Sequence, residues 1–239
     1  SACKIVVDMG LLSVGVHVVA CGFRRLPGYL FSVKSGRAGA RELRKEQAAA
    51  QRAGLSAELA PPPRVTLGGA SCLRFAAQAD FQPLEYLVGL ARAIARMGGV
   101  IRTRARVIDV RSAGKTPSVQ LADGRALEAA AVVVATNSPI NDRFAMHTKQ
   151  AAYRSYVLTL AIPPGSVEPA LYWDTADPYH YVRLTSAADE IIVGGEDHRV
   201  GQSSEPEASF ARLEAWTRDH FPMAGEVVWE YVNPYFVAP

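Results

Sequence analysis

Residues 131–142, Ala-Val-Val-Val-Ala-Thr-Asn-Ser-Pro-Ile-Asn-Asp, constrain the fold of this chain more than any other stretch. Three consecutive valines between alanines predict a strand at 132–135 that is buried on both faces, as in the parallel sheets of α/β proteins. Pro139 cannot continue a strand ladder, so the strand ends at Thr136 and Asn137. Ligands commonly bind where such strands end. These two residues are therefore candidate binding residues, and ordinary turn chemistry explains them equally well.

The composition is that of a soluble globular protein with one or two domains. The chain has 239 residues, of which 49% are hydrophobic and 21% charged,. Its net charge of +3 is small and spread out, so no nucleic-acid partner is expected,. The three cysteines form no C-x-x-C pair, which favours a reducing compartment, the cytoplasm, over a disulfide framework,.

The N-terminal region, residues 5–20, is apolar but is interrupted by Asp8 and His17. It is shorter than the roughly 20 residues of a membrane-spanning helix. We expect a buried strand-like segment here and no membrane partner. A signal-type targeting element is the alternative, although a clear cleavage site is missing.

Helical and strand patterns alternate along the rest of the chain. Helices are predicted at 37–54, ending at Gly54, and at 83–98, where leucines and valines form one apolar stripe,. A third helix follows the capping-box pattern of residues 204–207. Strands are predicted at 28–33, 100–104, 106–110, 119–121, 126–128, 153–162, 179–184, 191–193 and 227–231,.

Several segments carry a resemblance to a known family. They are residues 131–142, His-Thr-Lys-Gln at 147–150, Tyr-Trp-Asp-Thr at 172–175, Asp-Pro-Tyr-His-Tyr-Val-Arg at 177–183 and Gly-Gly-Glu-Asp-His at 194–198. Together they resemble the FAD-dependent oxidoreductases of the D-amino-acid oxidase, glycine oxidase and sarcosine oxidase family. The closest resemblance is to bacterial members that often carry a C-terminal Rieske domain.

The resemblance implies an α/β (α+β) fold with two interleaved domains. Residues 83–138 would form an incomplete FAD-binding domain, made of a helix, a β-meander and a buried strand. An antiparallel β-sheet substrate domain would be formed by residues 22–82 and 139–239. Residues 1–21 would be an atypical N-terminal segment.

Two motifs of the family are absent from this sequence. A G-x-G-x-x-G motif, whose glycines let the backbone approach a pyrophosphate, is missing, because Gly10 and Gly15 have the wrong spacing,. No Cys-x-His pair for a Rieske cluster is present. We therefore expect a truncated form, with a missing FAD-binding segment or Rieske domain as its partner. The alternative is a non-catalytic remnant or binding module that has lost the cofactor site.

The implied reaction is the transfer of a hydride from a small-molecule amine or amino acid to the flavin of FAD. Strand alternation puts Tyr179, Tyr181 and Arg183 on one face and His180 and Val182 on the other. We expect the Tyr181 and Arg183 face to look at the flavin, with the arginine holding a carboxylate. An ordinary sheet surface with a solvated arginine is the alternative.

The resemblance also gives the remaining candidate residues. Val107 would contact the adenine through its backbone, and Thr136 and Asn137 would lie near the adenosine or pyrophosphate. His198 would lie near the flavin as a third catalytic residue. The acidic residues beside His198 suggest a metal site, but too few ligands at a recognisable spacing favour a salt-bridged loop, so no metal is expected. Cys72 has no partner base and is expected in the core.

Overall fold

Three helices and thirteen strands make up the described part of the chain. The computed structural model describes residues 2–6, 16–63, 72–111, 116–136, 151–201 and 205–237. The helices are α1 (Gly36–Arg52), α2 (Pro83–Arg96) and α3 (Pro206–His220). The strands are β1 (Ala2–Val6), β2 (Val16–Ala20), β3 (Arg24–Phe31), β4 (Ala57–Ala60), β5 (Cys72–Asp80), β6 (Val107–Arg111), β7 (Ser118–Leu121), β8 (Ala126–Glu128), β9 (Ala151–Ala161), β10 (Leu171–Asp174), β11 (Tyr181–Leu184), β12 (Glu190–Arg199) and β13 (Val227–Val237).

An eight-stranded sheet is the largest element of the fold. Its strand order is β13-β9-β12-β11-β10-β3-β5-β4. The pairs β10–β11, β11–β12, β3–β5 and β4–β5 are antiparallel, and β10 pairs with β3 in parallel. The predicted mixed α/β class with a mainly antiparallel sheet is thereby confirmed.

One face of this sheet carries the main hydrophobic core. Side chains alternate across a strand, so every second residue of β9, β11 and β12 points to this face. α3 covers it with Leu213 and with partly buried Phe210 and Trp216, as its apolar pattern predicts. Strand residues in this core include Tyr156, Leu158, Leu160, Tyr172, Val182, Leu184, Ile191 and Val193.

The opposite face is covered by α1 at the β3–β5–β4 end of the sheet. Leu43 of α1 packs there with Leu30, Ala57 and Leu73, while the charged side of the helix faces solvent. The predicted stop of this helix is confirmed. Gly54 has φ +79°, and its N–H donates to the carbonyl of Gln51,.

Chain contacts divide the molecule into two compact units. Unit 1 contains residues 1–90 and 154–234, and unit 2 contains residues 91–153 and 235–239. The predicted domain boundaries at 82/83 and 138/139 stay predictions. Within unit 2, β6, β7 and β8 form a three-stranded antiparallel meander. Its β7–β8 hairpin was predicted and is confirmed, with Gly124 at φ +88° in the turn,.

The strand predicted at residues 132–135 is wrong. Residues 131–136 form no regular element, and Val133 is 88% exposed. A strand buried on both faces needs a hydrogen-bonded neighbour and a layer on each side. No strand among the described residues pairs with this segment, and these residues provide no layer that buries its apolar side chains.

The strand predicted at residues 100–104 is also wrong, because this segment is irregular and pairs with no strand among the described residues. Val100 is 75% exposed. The preceding helix α2 is confirmed, but its apolar stripe is mostly uncovered. Leu84 is 76% exposed, and Ala93 is the buried residue of the helix.

The N-terminal apolar region contains the antiparallel pair β1–β2, in agreement with a strand-like segment. None of the helices formed by the described residues has the length and hydrophobicity of a transmembrane segment. Ser204 of the proposed capping box lies outside the described residues. α3 begins with Pro206 after Glu205, whose side chain makes no capping hydrogen bond.

Glu42 of α1 connects the helix to the ends of β3 and β10. Its carboxylate accepts hydrogen bonds from Ser32 Oγ at 2.5 Å, Lys34 Nζ at 2.6 Å and Thr175 Oγ1 at 2.9 Å. These donors favour the ionised form and lower the pKa of Glu42 from its ordinary value of 4.5 to about 2, Lys34 contributing most,.

We expect Glu42→Gln to lower the free energy of unfolding by about 1–2 kcal/mol at pH 7, because charge-assisted hydrogen bonds are lost. The lowered pKa means that this contribution is fully present above pH 4.5 and disappears as the pH falls through about 2,. Urea unfolding at several pH values measures it. Exposed Glu46→Gln on the same helix is the control, and equal losses in both variants would contradict the assignment.

Candidate functional site

The hairpin of β10 and β11 places its side chains on two faces with different surroundings. Val182 and Leu184 are buried in the core beneath α3, with 3% and 2% exposure. Tyr181 and Arg183 alternate with them and are half-buried on the other face. The predicted alternation is therefore present. We call this second face of β10, β11 and β12 the open face; it carries Trp173, Tyr181, Arg183, Ile192 and Gly194.

Arg183 is the charged residue at the centre of the open face. In the strand register it lies between Leu171 of β10 and Ile192 of β12. Both neighbours are apolar, and within the described ranges its guanidinium has no ion pair or hydrogen bond. A half-buried guanidinium without an internal partner can form a bidentate pair with an external carboxylate.

Two tyrosines precede this arginine in the chain, and the nearer one, Tyr181, lies on the same face of β11. The rings of Tyr179 and Tyr181 are in contact, with centroids 6.0 Å apart. Burial, the charge of Asp197 and the neighbouring Tyr181 raise the pKa of Tyr179, in that order. Tyr179 therefore remains a neutral phenol at physiological pH and can donate or accept a hydrogen bond.

A buried histidine on the α3 side holds this hairpin together. His180 Nδ1 lies 2.8 Å from Asp174 Oδ2, and the His180 backbone N–H donates to Asp174 Oδ1 at 2.9 Å. The Asp174 carboxylate also accepts the N–H of Ala176 at 3.1 Å. The imidazole stacks on Trp216 of α3 with centroids 4.3 Å apart. The pair therefore closes the turn and attaches it to the helix.

Sequence reasoning missed this pair, although a signal was present. A hairpin that turns at residues 175–179 brings Asp174 opposite His180, because Trp173 pairs with Tyr181. Counting outward from the turn would have placed the two side chains together.

His198 lies on the α3 side of the sheet rather than on the open face. Its ring stacks on buried Tyr156 with centroids 5.5 Å apart, and Nδ1 lies 3.3 Å from the Glu196 carbonyl oxygen. The structure thus does not bring His198 together with Tyr181 and Arg183. Glu196, at φ +56°, forms an ion pair with Arg212 of α3 at 2.6 Å. No group of three possible metal ligands occurs in the described ranges.

The predicted cofactor residues belong to unit 2. Val107 begins β6 and pairs with Leu121, with its side chain half-buried. Thr136 is exposed at the end of a described range. Asn137 lies outside the described residues. Cys72 is completely buried in the main core, as expected, and burial raises the pKa of its thiol to about 11, so it stays protonated,.

Comparison with known proteins establishes the family. The family model for FAD-dependent oxidoreductases, abbreviated DAO, matches residues 15–235. The chain belongs to the FAD-dependent oxidoreductase family. This confirms the resemblance found in the sequence. Bacillus subtilis (strain 168) YhfW, described by its name as a Rieske 2Fe-2S iron-sulfur protein, is 25% identical over 204 residues. That match covers 84% of this chain and 39% of YhfW.

Solved structures of this oxidoreductase family share the fold. Glycine oxidase from Geobacillus kaustophilus has a TM-score of 0.75 at 13% identity, covering 92% of this chain and 61% of that enzyme. L-Proline dehydrogenase from P. horikoshii also has a TM-score of 0.75 at 13% identity, with 91% and 62% coverage. The amino acid oxidase NikD gives a TM-score of 0.72 at 13% identity, with 90% and 62% coverage. The chain thus spans less than two thirds of each relative.

The described helix starts do not form a cradle for the pyrophosphate of FAD. Such a cradle needs a glycine-rich turn whose backbone N–H groups are free at a helix N-terminus. α2 and α3 begin at prolines. α1 begins at Gly36, but a Cβ on Gly39 would overlap the carbonyl oxygen of Lys34, so this glycine makes room for the chain's own backbone. The described residues therefore do not fit the phosphate part of FAD.

We expect Asp174→Ala to destabilise the protein by about 2–4 kcal/mol, because it removes the carboxylate that makes three hydrogen bonds and leaves His180 buried without its partner,. Urea unfolding followed by circular dichroism measures this loss. Asp177→Ala, an exposed aspartate in the same turn, is the control and should change stability by less than about 0.5 kcal/mol,. A loss below about 1 kcal/mol for Asp174→Ala would contradict the structural role of the pair.

Proposed function

We propose that this chain provides the substrate-binding sheet of an FAD-dependent oxidoreductase that acts on a small amine or amino acid. Its membership of the family supports the reaction class. The observation that carries the proposal is the half-buried Arg183, which has no hydrogen-bond or ion-pair partner among the described residues, next to Tyr181 on the open face. A guanidinium that is partly removed from water gains most from a carboxylate that restores its hydrogen bonds.

The residues of the chain would bind and orient the substrate rather than perform acid–base chemistry. FAD, if held by the complete protein, would supply the two-electron acceptor for oxidation of the amine. Arg183 would hold the carboxylate of an amino acid through two parallel N–H···O bonds. Tyr181 would fix the position of the α-carbon from one side, and the apolar neighbours Leu171 and Ile192 would exclude water.

The other predicted site residues have different proposed roles. Val107 is proposed to contact the adenine of FAD through its backbone, and Thr136 and Asn137 are proposed to lie near the adenosine. For His198, the stacking on Tyr156 supports a positioning role at the end of β12 instead of substrate contact. The name of the YhfW relative supports a Rieske domain as an electron-transfer partner.

A binding module without catalysis is the second candidate. It is favoured by the helix N-termini of the described residues, which offer no pyrophosphate cradle, and by the exposed stripe of α2. Both candidates use the same open face, and they differ in whether a flavin is held by this chain.

The absorption spectrum of the purified chain, incubated with FAD and desalted, separates the two candidates. A retained flavin spectrum, followed by anaerobic bleaching with an amine or amino acid, would support the oxidoreductase. A colourless chain that still binds amino acids would support the binding module. A colourless chain that binds none would contradict both functions for this chain alone.

We expect Arg183→Gln to raise the half-saturating concentration of an amino acid substrate at least about tenfold, because the bidentate carboxylate contact is lost. Titration of flavin bleaching, or calorimetry if the chain is colourless, measures the change. Arg154→Gln is the control, since Arg154 of β9 lies on the same face as buried Tyr156 by strand alternation. An unchanged half-saturation for Arg183→Gln would remove Arg183 from the site.

A further inference from the structure

The ring of Tyr181 lies over the neighbouring strand β12. Tyr181 pairs with Gly194 in the register of β11 and β12. A Cβ on Gly194 would overlap Cζ and the hydroxyl oxygen of Tyr181. The far end of the ring therefore occupies the space that any other residue at position 194 would fill. Glycine at this position is a steric requirement of the ring's orientation, since φ of Gly194 is not in the left-handed region,.

The indole of Trp173 extends in the opposite direction, towards β3. A Cβ on Gly28 of β3 would lie 2.8 Å from Cη2 and Cζ3 of Trp173. Beyond this glycine the indole contacts the ring of Phe75 on β5, with centroids 5.6 Å apart. The indole thus lies across β3 and points away from β11.

The two rings diverge although their residues are directly opposed. Trp173 and Tyr181 form a cross-strand pair, whose Cβ atoms are typically about 5 Å apart,. Opposed aromatic residues usually stack, but these two described residues make no ring contact with each other. From β3 to β12 there are three strand spacings, so the tips of the rings are separated by about 14 Å. We call the space between them the aromatic notch.

Polar groups lie at the two ends of the aromatic notch. Arg183, two residues along β11 from Tyr181, is at one end, paired with the apolar Leu171. Tyr179, whose ring touches that of Tyr181, is at the other. A molecule with a carboxylate at Arg183 would place its remaining atoms between the indole and the phenol.

We propose that the aromatic notch selects amino acids or amines with a carboxylate and a bulky apolar group, and that Gly28 and Gly194 determine this specificity. The inference rests on the proposed function for the role of Arg183. The walls are aromatic faces that bury apolar surface. A substrate as small as glycine would leave the notch filled with water, while a ring-sized group would displace part of this water and bury its surface against the aromatic side chains.

The test compares the binding of phenylacetate and acetate, which share a carboxylate and differ by one ring. Quenching of tryptophan fluorescence reports binding to the chain without flavin, and Trp173→Phe identifies the responding tryptophan. We expect phenylacetate to bind at least about thirtyfold more tightly than acetate, because only phenylacetate buries a ring.

Gly194→Ala should push the ring of Tyr181 off β12 and into the aromatic notch. We expect phenylacetate affinity to fall about tenfold, with acetate affinity changed less than about threefold. Gly195→Ala is the matched control, because its Cβ would lie 2.7 Å from the His180 ring and 3.1 Å from the Tyr179 carbonyl oxygen, and would disturb the same strand without displacing the Tyr181 ring. It should leave the ratio of the two affinities unchanged.

If Gly194→Ala does not fold, Tyr181→Ala removes the same wall without a clash and should lower the affinity ratio as well. Equal binding of the two carboxylates by the unaltered chain would overturn the inference, as would an unchanged ratio in the folded variant. Binding is measured without flavin. If phenylacetate binds more tightly than acetate but no amino acid bleaches the flavin, the notch is supported and the oxidoreductase function is rejected. If small and bulky amino acids bleach the flavin equally well, the oxidoreductase function is supported and the selectivity of the notch is rejected.

Discussion

The burial of one face of the eight-stranded sheet beneath α3 is the constraint on which the rest of the structure depends. Leu213 and Phe221 are completely buried against alternate residues of β9, β11 and β12. Because side chains alternate, fixing Val182 and Leu184 in this core also fixes Tyr181 and Arg183 on the other side. A slip of one residue in β11 would put an arginine in the core, so the register of the open face is set by packing elsewhere.

The α3 side and the open face of the sheet therefore have different roles. The α3 side contains paired polar groups, such as Asp174 with His180 and Glu196 with Arg212. The open face carries Arg183, which has no ion pair with another described residue, and aromatic rings that lie over glycines. The α3 side thus contributes mainly to stability, and the open face carries the residues proposed for binding. Substitutions on the two faces should thus act largely independently.

The sequence predicts those features that depend on neighbouring residues along the chain. The helices, the β7–β8 hairpin and the alternation of Tyr181 and Arg183 follow from local periodicity and turn residues. The segment at 132–135 could not be predicted correctly, because burial depends on strands that must pair with it. The partners Asp174–His180 and Tyr181–Gly194 were missed since they depend on the register between strands, which no single stretch of sequence reveals.

The parallel pairing of β3 with β10 has a consequence for folding. β3 ends at Phe31 and β10 begins at Leu171, yet the two are adjacent in the sheet. During synthesis β3 can pair with β5 early, but its other edge has no partner until β10 has left the ribosome. Closure of such distant contacts is slow, and an unpaired edge is prone to association with other chains. The nascent N-terminal half should therefore depend more on chaperones than its compact final structure suggests.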